Sequence, residues 1–188
     1  MTGYCGGVKK KIELGDLCFF ESAAPWDYGK WAETRDEHGV LLSEEFRSRP
    51  NALPIDEGEL KLAARKLCME NGNIDPAEFG VLSSLAPKGK IIPNFLLTHA
   101  ASGSAVVAND TVVAQIKGLN DAIRAVDMES YGFYDACGKT FVAKPKYLCI
   151  KSVSDFCNGE KGDDYHGFCS YLSAITARRI LSSLVTFG

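Results

Sequence analysis

The feature that most constrains this chain is an alternation of two periodicities. Runs rich in β-forming residues at 11–22 (KIELGDLCFFES), 90–100 (KIIPNFLLTHA), 122–128 (AIRAVDM) and 146–153 (KYLCIKSV) take turns with helical patterns at 56–71, 109–119, 130–138 and 163–185. That order predicts an α/β protein whose helices cover a mainly parallel or mixed sheet. The helix signals are local. Asp56 with Glu59 makes a capping-box-like start, and Leu60, Ala63, Ala64 and Leu67 form an apolar stripe behind it. Asn109 or Asp110 caps the second pattern, and Gly138 closes the third. Residues 24–55 hold three prolines and many charges, so they are expected to form an irregular excursion or a lid.

Length and charge narrow the class. A chain of 188 residues suits a single domain, residues 1–188, with a sizeable core. Its net charge of -3 gives no pull toward nucleic acid or an anionic membrane. No apolar run reaches the roughly 18 residues of a membrane span, and the N-terminus lacks a hydrophobic signal core. The seven cysteines include no CxxC pair, and several sit in apolar segments. They read as reduced, mostly buried thiols of a cytoplasmic protein, with no metal site. No GxxxxGK[ST] loop is present, which leaves ATP-driven chemistry unsupported. NGEKGDD at 158–164 does not fit a calcium loop and reads as a solvated turn.

Chemistry is expected where acids meet strand ends. Glu129 follows the run AIRAVDM, and Asp155 follows KYLCIKSVS. In α/β sheets ligands gather at the carboxyl ends of strands, so two such acids can face one crevice. Asp127, Glu129 and Asp155 are equally readable as helix caps or first-turn acids. The pattern leaves both readings open.

Three motifs, in order, go further. TGYCGGV at 2–8, AVDMES at 125–130 and KSVSDF at 151–156 together resemble the purine nucleoside phosphorylase and uridine phosphorylase superfamily. Within it the chain is most similar to the methylthioadenosine/S-adenosylhomocysteine nucleosidases, and SGSAVV at 102–107 keeps their spacing to VDMES. The resemblance spans essentially the whole chain. It implies a three-layer αβα fold with a mixed central sheet. It also implies a nucleosidase that frees adenine from an adenine nucleoside of the methylthioadenosine, S-adenosylhomocysteine or adenosine type. No cofactor is implied. TGYCGGV, with Tyr4 and Gly6, would be a glycine turn beneath the ribose. Glu129 would accept the ribose 2′- and 3′-hydroxyls, with Asp127 in the same motif and Met128 against the sugar face. Asp155 would be the general acid at the purine N7. Free Asp titrates near 3.9, so such an acid needs burial to keep its proton. Lys151 stands where the nucleosidases place an arginine near the attacking water; a plain strand-edge lysine is the other reading. Ser102, Ala105, Val106 and Val107 match the segment whose backbone reads the adenine edge. Tyr165 takes the place of an aromatic over the substrate's 5′ end, or packs on the core. His166 reads as a solvent-facing first-turn histidine without a role.

The chain also departs from the pattern. Val106 stands where an aromatic usually stacks on the base, and Ser104 replaces an acid. The family's first strands and their glycine-rich loop are missing, so an N-terminally truncated member or a fragment is expected. The sheet edge so exposed would suit a homo-oligomer, as in a dimer. Met1 stands where phosphorylases commonly carry an arginine, and Tyr4 replaces a small phosphate-binding serine. Both tilt the reading from phosphorolysis toward hydrolysis. A non-catalytic nucleoside-binding or oligomerisation module is the third possibility.

Overall fold

The computed structural model describes residues 1–55, 58–87, 92–159 and 162–185. Its elements run β1 (Thr2–Gly7), β2 (Leu17–Pro25), β3 (Gly29–Arg35), β4 (Leu41–Ser48), β5 (Leu53–Pro54), α1 (Glu59–Met69), α2 (Pro76–Leu85), β6 (Phe95–Ser102), α3 (Asp110–Leu119), β7 (Ile123–Asp127), α4 (Ser130–Gly138), β8 (Ile150–Asp155) and α5 (His166–Val185). The chain adopts the expected α/β fold with a mixed central sheet, in the strand order β5-β2-β6-β7-β1-β8.

That sheet curls until its ends meet. β8 pairs back onto β2, antiparallel, through Leu17↔Ser152, Cys18↔Lys151 and Phe19↔Ile150. Strands β2, β6, β7, β1 and β8 therefore form a closed ring of pairings. The burial of β2 and β8 follows from this. Every residue of β8 is buried, as are Leu17 to Phe20 of β2. One face of each strand points into the ring and the other lies under helices, so both faces need shielding. α5 packs along β8 and β1, where Phe168 and Leu172 join Leu17, Phe19 and Val153 in the main core. A second cluster gathers Val107, Val113, Ile116 and Val126 between α3 and the sheet.

One side chain of α4 pins the seam between β2 and β8. The buried Tyr134 hydroxyl donates to the Phe20 carbonyl at 2.6 Å and accepts from the Cys149 N–H at 3.2 Å. Removing it strands both backbone groups. We expect Tyr134→Phe to cost about 1–3 kcal/mol, a fall in melting temperature of about 2–12 °C for a chain of this size. An unchanged melting curve would show that the hydroxyl does not hold the seam.

Several elements differ from the sequence-based expectation. Residues 24–55 are not irregular: β2 extends to Pro25, and β3 and β4 form an antiparallel hairpin from Gly29↔Ser48 to Arg35↔Leu41. Both hairpin faces carry exposed charges, among them Glu33, Arg35, Glu45 and Arg47. An alternating apolar signal therefore never develops. TGYCGGV is an extended strand inside the sheet rather than a turn. α2 went unpredicted although Asp75 and Pro76 mark its start; the Asp75 carboxylate accepts the Ala77 N–H at 2.8 Å. Asp56 lies outside the described residues, and the residue preceding α1 is Gly58, with no side-chain cap. No disulfide links the cysteines among the described residues, and Cys5, Cys18, Cys149, Cys157 and Cys169 are buried. Burial pushes Cys149 and Cys169 up to about 12. Among the described residues no helix is long and apolar enough to cross a membrane. No group of three His, Cys, Asp or Glu there could hold a metal ion.

Candidate active site

The two strands that carry the acids run in opposite senses on either side of β1. β7 pairs antiparallel with β1 at Gly6↔Val126 and Gly7↔Ala125. β8 pairs parallel, and a register shift between Cys5 and Gly6 sets Gly6 opposite Asp155. Both strands therefore stop at the level of Cys5–Gly6, arriving from opposite directions. The acids meet across β1, not along one shared carboxyl edge.

Gly6 makes this meeting possible. A Cβ there would sit 2.0 Å from Cys157 Sγ and 3.3 Å from Asp155 Oδ1. Cys157 adopts a left-handed backbone, with φ of 56°, which is uncommon for a residue with a side chain. That turn brings its N–H within 2.8 Å of Asp155 Oδ1. Ser154 Oγ lies 3.1 Å from Asp155 Oδ2 and 3.3 Å from the Cys5 carbonyl. Asp155 is buried, yet it lines the cleft.

At the end of β7 the carboxylates have different tasks. Asp127 Oδ2 accepts the Ser130 N–H at 3.0 Å, and Oδ1 accepts the Ser130 hydroxyl at 2.6 Å. Asp127 thus starts α4, as the capping reading expected. Lys151 Nζ sits 2.7 Å from Asp127 Oδ2 and 2.6 Å from Glu129 Oε2. The side chains of Lys151 and Asp127 are 4% and 1% exposed, whereas Glu129 is 59% exposed. Burial alone would lower the Lys151 pKa, but the Asp127 and Glu129 carboxylates outweigh it and hold the ammonium above its usual value. Lys151 is thus an enclosed cation beneath Glu129, not a strand-edge lysine.

Asp155, Gly6, Cys157, Val126, Asp127, Met128 and Glu129 line one cleft, together with Tyr4, Cys5 and the segment Ala105, Val106 and Val107. Met128 and Val106 are exposed on its walls. The cleft is open and holds about 100 Å³, below the roughly 300 Å³ at which small-molecule pockets commonly begin. Three of the singled-out residues lie away from it. Ser102 is buried at the end of β6, its carbonyl bound by the Trp26 N–H at 3.0 Å. Tyr165 lines a neighbouring cavity of about 370 Å³ with Lys9, Phe156 and Asn158, to which Asp155 also contributes. Lys151 lies beneath the carboxylates rather than on the wall.

His166 is half-buried rather than solvent-facing as the sequence suggested. Its ring stacks on Tyr4, with centroids 4.0 Å apart and planes 13° from parallel. Its Nε2 is buried without a hydrogen-bond partner among the described residues. No local pattern links the start of α5 to the start of β1, so no sequence signal was available.

Comparison with solved structures identifies this architecture. The methylthioadenosine/S-adenosylhomocysteine nucleosidase of Streptococcus pneumoniae, solved with a transition-state inhibitor, superposes with a TM-score of 0.65 over 97% of this chain and 68% of its own, at 19% identity. The chain has the nucleosidase fold. No family model matches it. Among curated proteins, an uncharacterized Sinorhizobium fredii protein, y4jS, is 28% identical over 98% of this chain and 42% of its own length. The ATP nucleosidase Cap17 of Escherichia coli is 25% identical over 93% of this chain and 34% of its own length. The chain thus spans less than half the length of either curated relative.

Proposed function

We propose that the cleft hydrolyses the N-glycosidic bond of an adenine nucleoside to free base and sugar. The observation that carries this is the placement of Asp155 and Glu129 on one cleft, on either side of a glycine whose added Cβ would collide with Cys157 Sγ. The fold and the similarity to an ATP nucleosidase support the same class of reaction.

Breaking this bond creates a ribosyl cation and a base that must leave neutral. Asp155 gives its proton to N7 as the C1′–N9 bond opens. Water adds to C1′ and loses its proton to solvent, and Asp155 is reprotonated from solvent. Ser154 Oγ lies within reach of both Asp155 Oδ2 and the Cys5 carbonyl, and the Cys157 N–H donates to Oδ1, so the carboxyl is held in place at the cleft. Glu129 takes the ribose 2′- and 3′-hydroxyls and lends negative charge to the cation. Lys151 holds Glu129 from beneath and, through that carboxylate, the attacking water. Met128 and Tyr4 flank the sugar, and Ala105 to Val107 face the base. Ser102 anchors that segment, and Tyr165 reaches the substrate's 5′ end from the adjoining cavity.

Phosphorolysis fits less well. The lining residues described include no arginine or lysine for a phosphate dianion, which carries a large desolvation cost. The Tyr4 ring also fills space a phosphate needs. The small, open cleft favours completion of its rim by a second copy in a homodimer, and the reduced thiols favour a cytoplasmic role in purine metabolism.

The test is release of free adenine from methylthioadenosine and from adenosine, followed by chromatography. No adenine from either, with the nucleoside still bound calorimetrically, would favour a binding module. Glu129→Gln is expected to keep the melting temperature within a few degrees, because the side chain is largely exposed. It should weaken nucleoside binding about tenfold or more, the loss of one charge-assisted hydrogen bond. Unchanged calorimetric affinity for a ribose-containing ligand would take Glu129 out of the site.

A further inference from the structure

We propose that Asp27 is a positioning residue that fixes the base-reading segment and thereby sets the preference for adenine; this rests on the nucleosidase reading. Asp27 follows β2 and lies outside every motif singled out in the sequence. Its Oδ2 accepts two hydrogen bonds from one residue, the Ser104 N–H at 2.6 Å and the Ser104 hydroxyl at 2.7 Å. Its neighbour Trp26 holds the same segment twice. The Trp26 N–H donates to the Ser102 carbonyl at 3.0 Å. The indole lies so close to Gly103 that a Cβ there would be 2.2 Å from Nε1. From the other side, the Gly103 N–H donates to the Asp127 carbonyl at 3.0 Å.

Three consecutive residues, Ser102, Gly103 and Ser104, are thus tied down, and the next three, Ala105, Val106 and Val107, face the cleft. Val107 is also packed in the cluster of Val126 and Cys157 against Trp26. Ser104 is therefore the last hydrogen-bonded anchor before the chain reaches the base. An aliphatic Val106 gives little stacking, so discrimination falls on backbone donors and acceptors. Adenine and hypoxanthine present inverted patterns there. Adenine offers an amino donor and an N1 acceptor, and hypoxanthine an oxygen acceptor and an N1–H donor. A shift of a few tenths of an ångström in the segment erodes that distinction before it affects the fold. Asp27 supplies, from just past the end of β2, the carboxylate that the segment itself lacks at Ser104.

The test compares wild type, Asp27→Ala and Asp27→Asn, each as the full chain. Adenine and hypoxanthine are titrated calorimetrically, and adenosine and inosine turnover is measured in parallel. The alanine variant should lose about tenfold in adenine affinity, as expected for a charge-assisted anchor, and a similar factor in adenine-over-hypoxanthine preference. KM for adenosine should rise while kcat stays within about threefold, since Asp155 is untouched. Asparagine keeps an oxygen in place for both Ser104 donors and should restore most of the preference. Equal preference in wild type and alanine variant, or an asparagine variant as indiscriminate as alanine, would overturn the role of Asp27 alone. So would an equal loss of affinity for both bases. A wild type that binds neither base would overturn the nucleosidase reading together with it.

Discussion

Asp155→Asn is expected to abolish adenine release, with turnover falling by about 10²–10⁴-fold, the usual contribution of a general acid. Nucleoside binding should remain measurable. The amide can still accept the Cys157 N–H at Oδ1 and donate to Ser154, so these two contacts have substitutes. What it cannot do is surrender a proton to N7. The melting temperature should therefore move little while the rate collapses. Single-turnover release of adenine from saturating nucleoside, beside a calorimetric affinity, separates the two effects. Turnover equal to wild type would remove Asp155 from proton transfer.

The largest stability loss is expected from Lys151→Met. The methionine fills a similar volume but leaves Asp127, with its side chain 1% exposed, without its cation. Breaking a buried pair from one side costs about 3–5 kcal/mol, or about 6–20 °C in melting temperature at this chain length. Glu129 adds little to that cost because solvent screens it. Adding Asp127→Asn should recover part of the loss, since an amide needs no counter-charge and can still bond Ser130. The pH dependence has a fixed sign. The folded-state pKa of Lys151 is raised by the two carboxylates. Its contribution is therefore fully present below the unfolded value near 10.4 and is lost as pH rises through the higher folded one. Thermal melts should show the full gap between wild type and Lys151→Met at pH 7, and a narrowing gap above about pH 10.4. Equal melting temperatures at pH 7 would mean that Asp127 does not depend on Lys151.

How far the sequence could be read differs by element. The helix–strand alternation was legible because β6, β7, α3 and α4 each carry their own periodicity and caps. Glu129 and Asp155 were legible as acids just past apolar runs. The reason they meet was not. A parallel sheet would align its carboxyl ends, but here β7 and β8 oppose each other and meet only through the register of β1 at Gly6. Pairing partners far apart in the chain leave no local pattern, so the closed ring was equally hidden. The same holds for the stacking of His166 on Tyr4 and the reach of Asp27 to Ser104. The hairpin of β3 and β4 was missed for the opposite reason. Its residues are nearly all exposed, so burial imposed no alternation for a reader to find.

The most direct test of a hydrolytic nucleosidase cleft is the identity of the sugar product. Methylthioadenosine is incubated with the protein in phosphate buffer and in phosphate-free buffer, and both mixtures are analysed by mass spectrometry. Free methylthioribose with adenine in both buffers, at similar rates, is the predicted result. Methylthioribose 1-phosphate accumulating only in the phosphate buffer would contradict it and identify phosphate, not water, as the nucleophile.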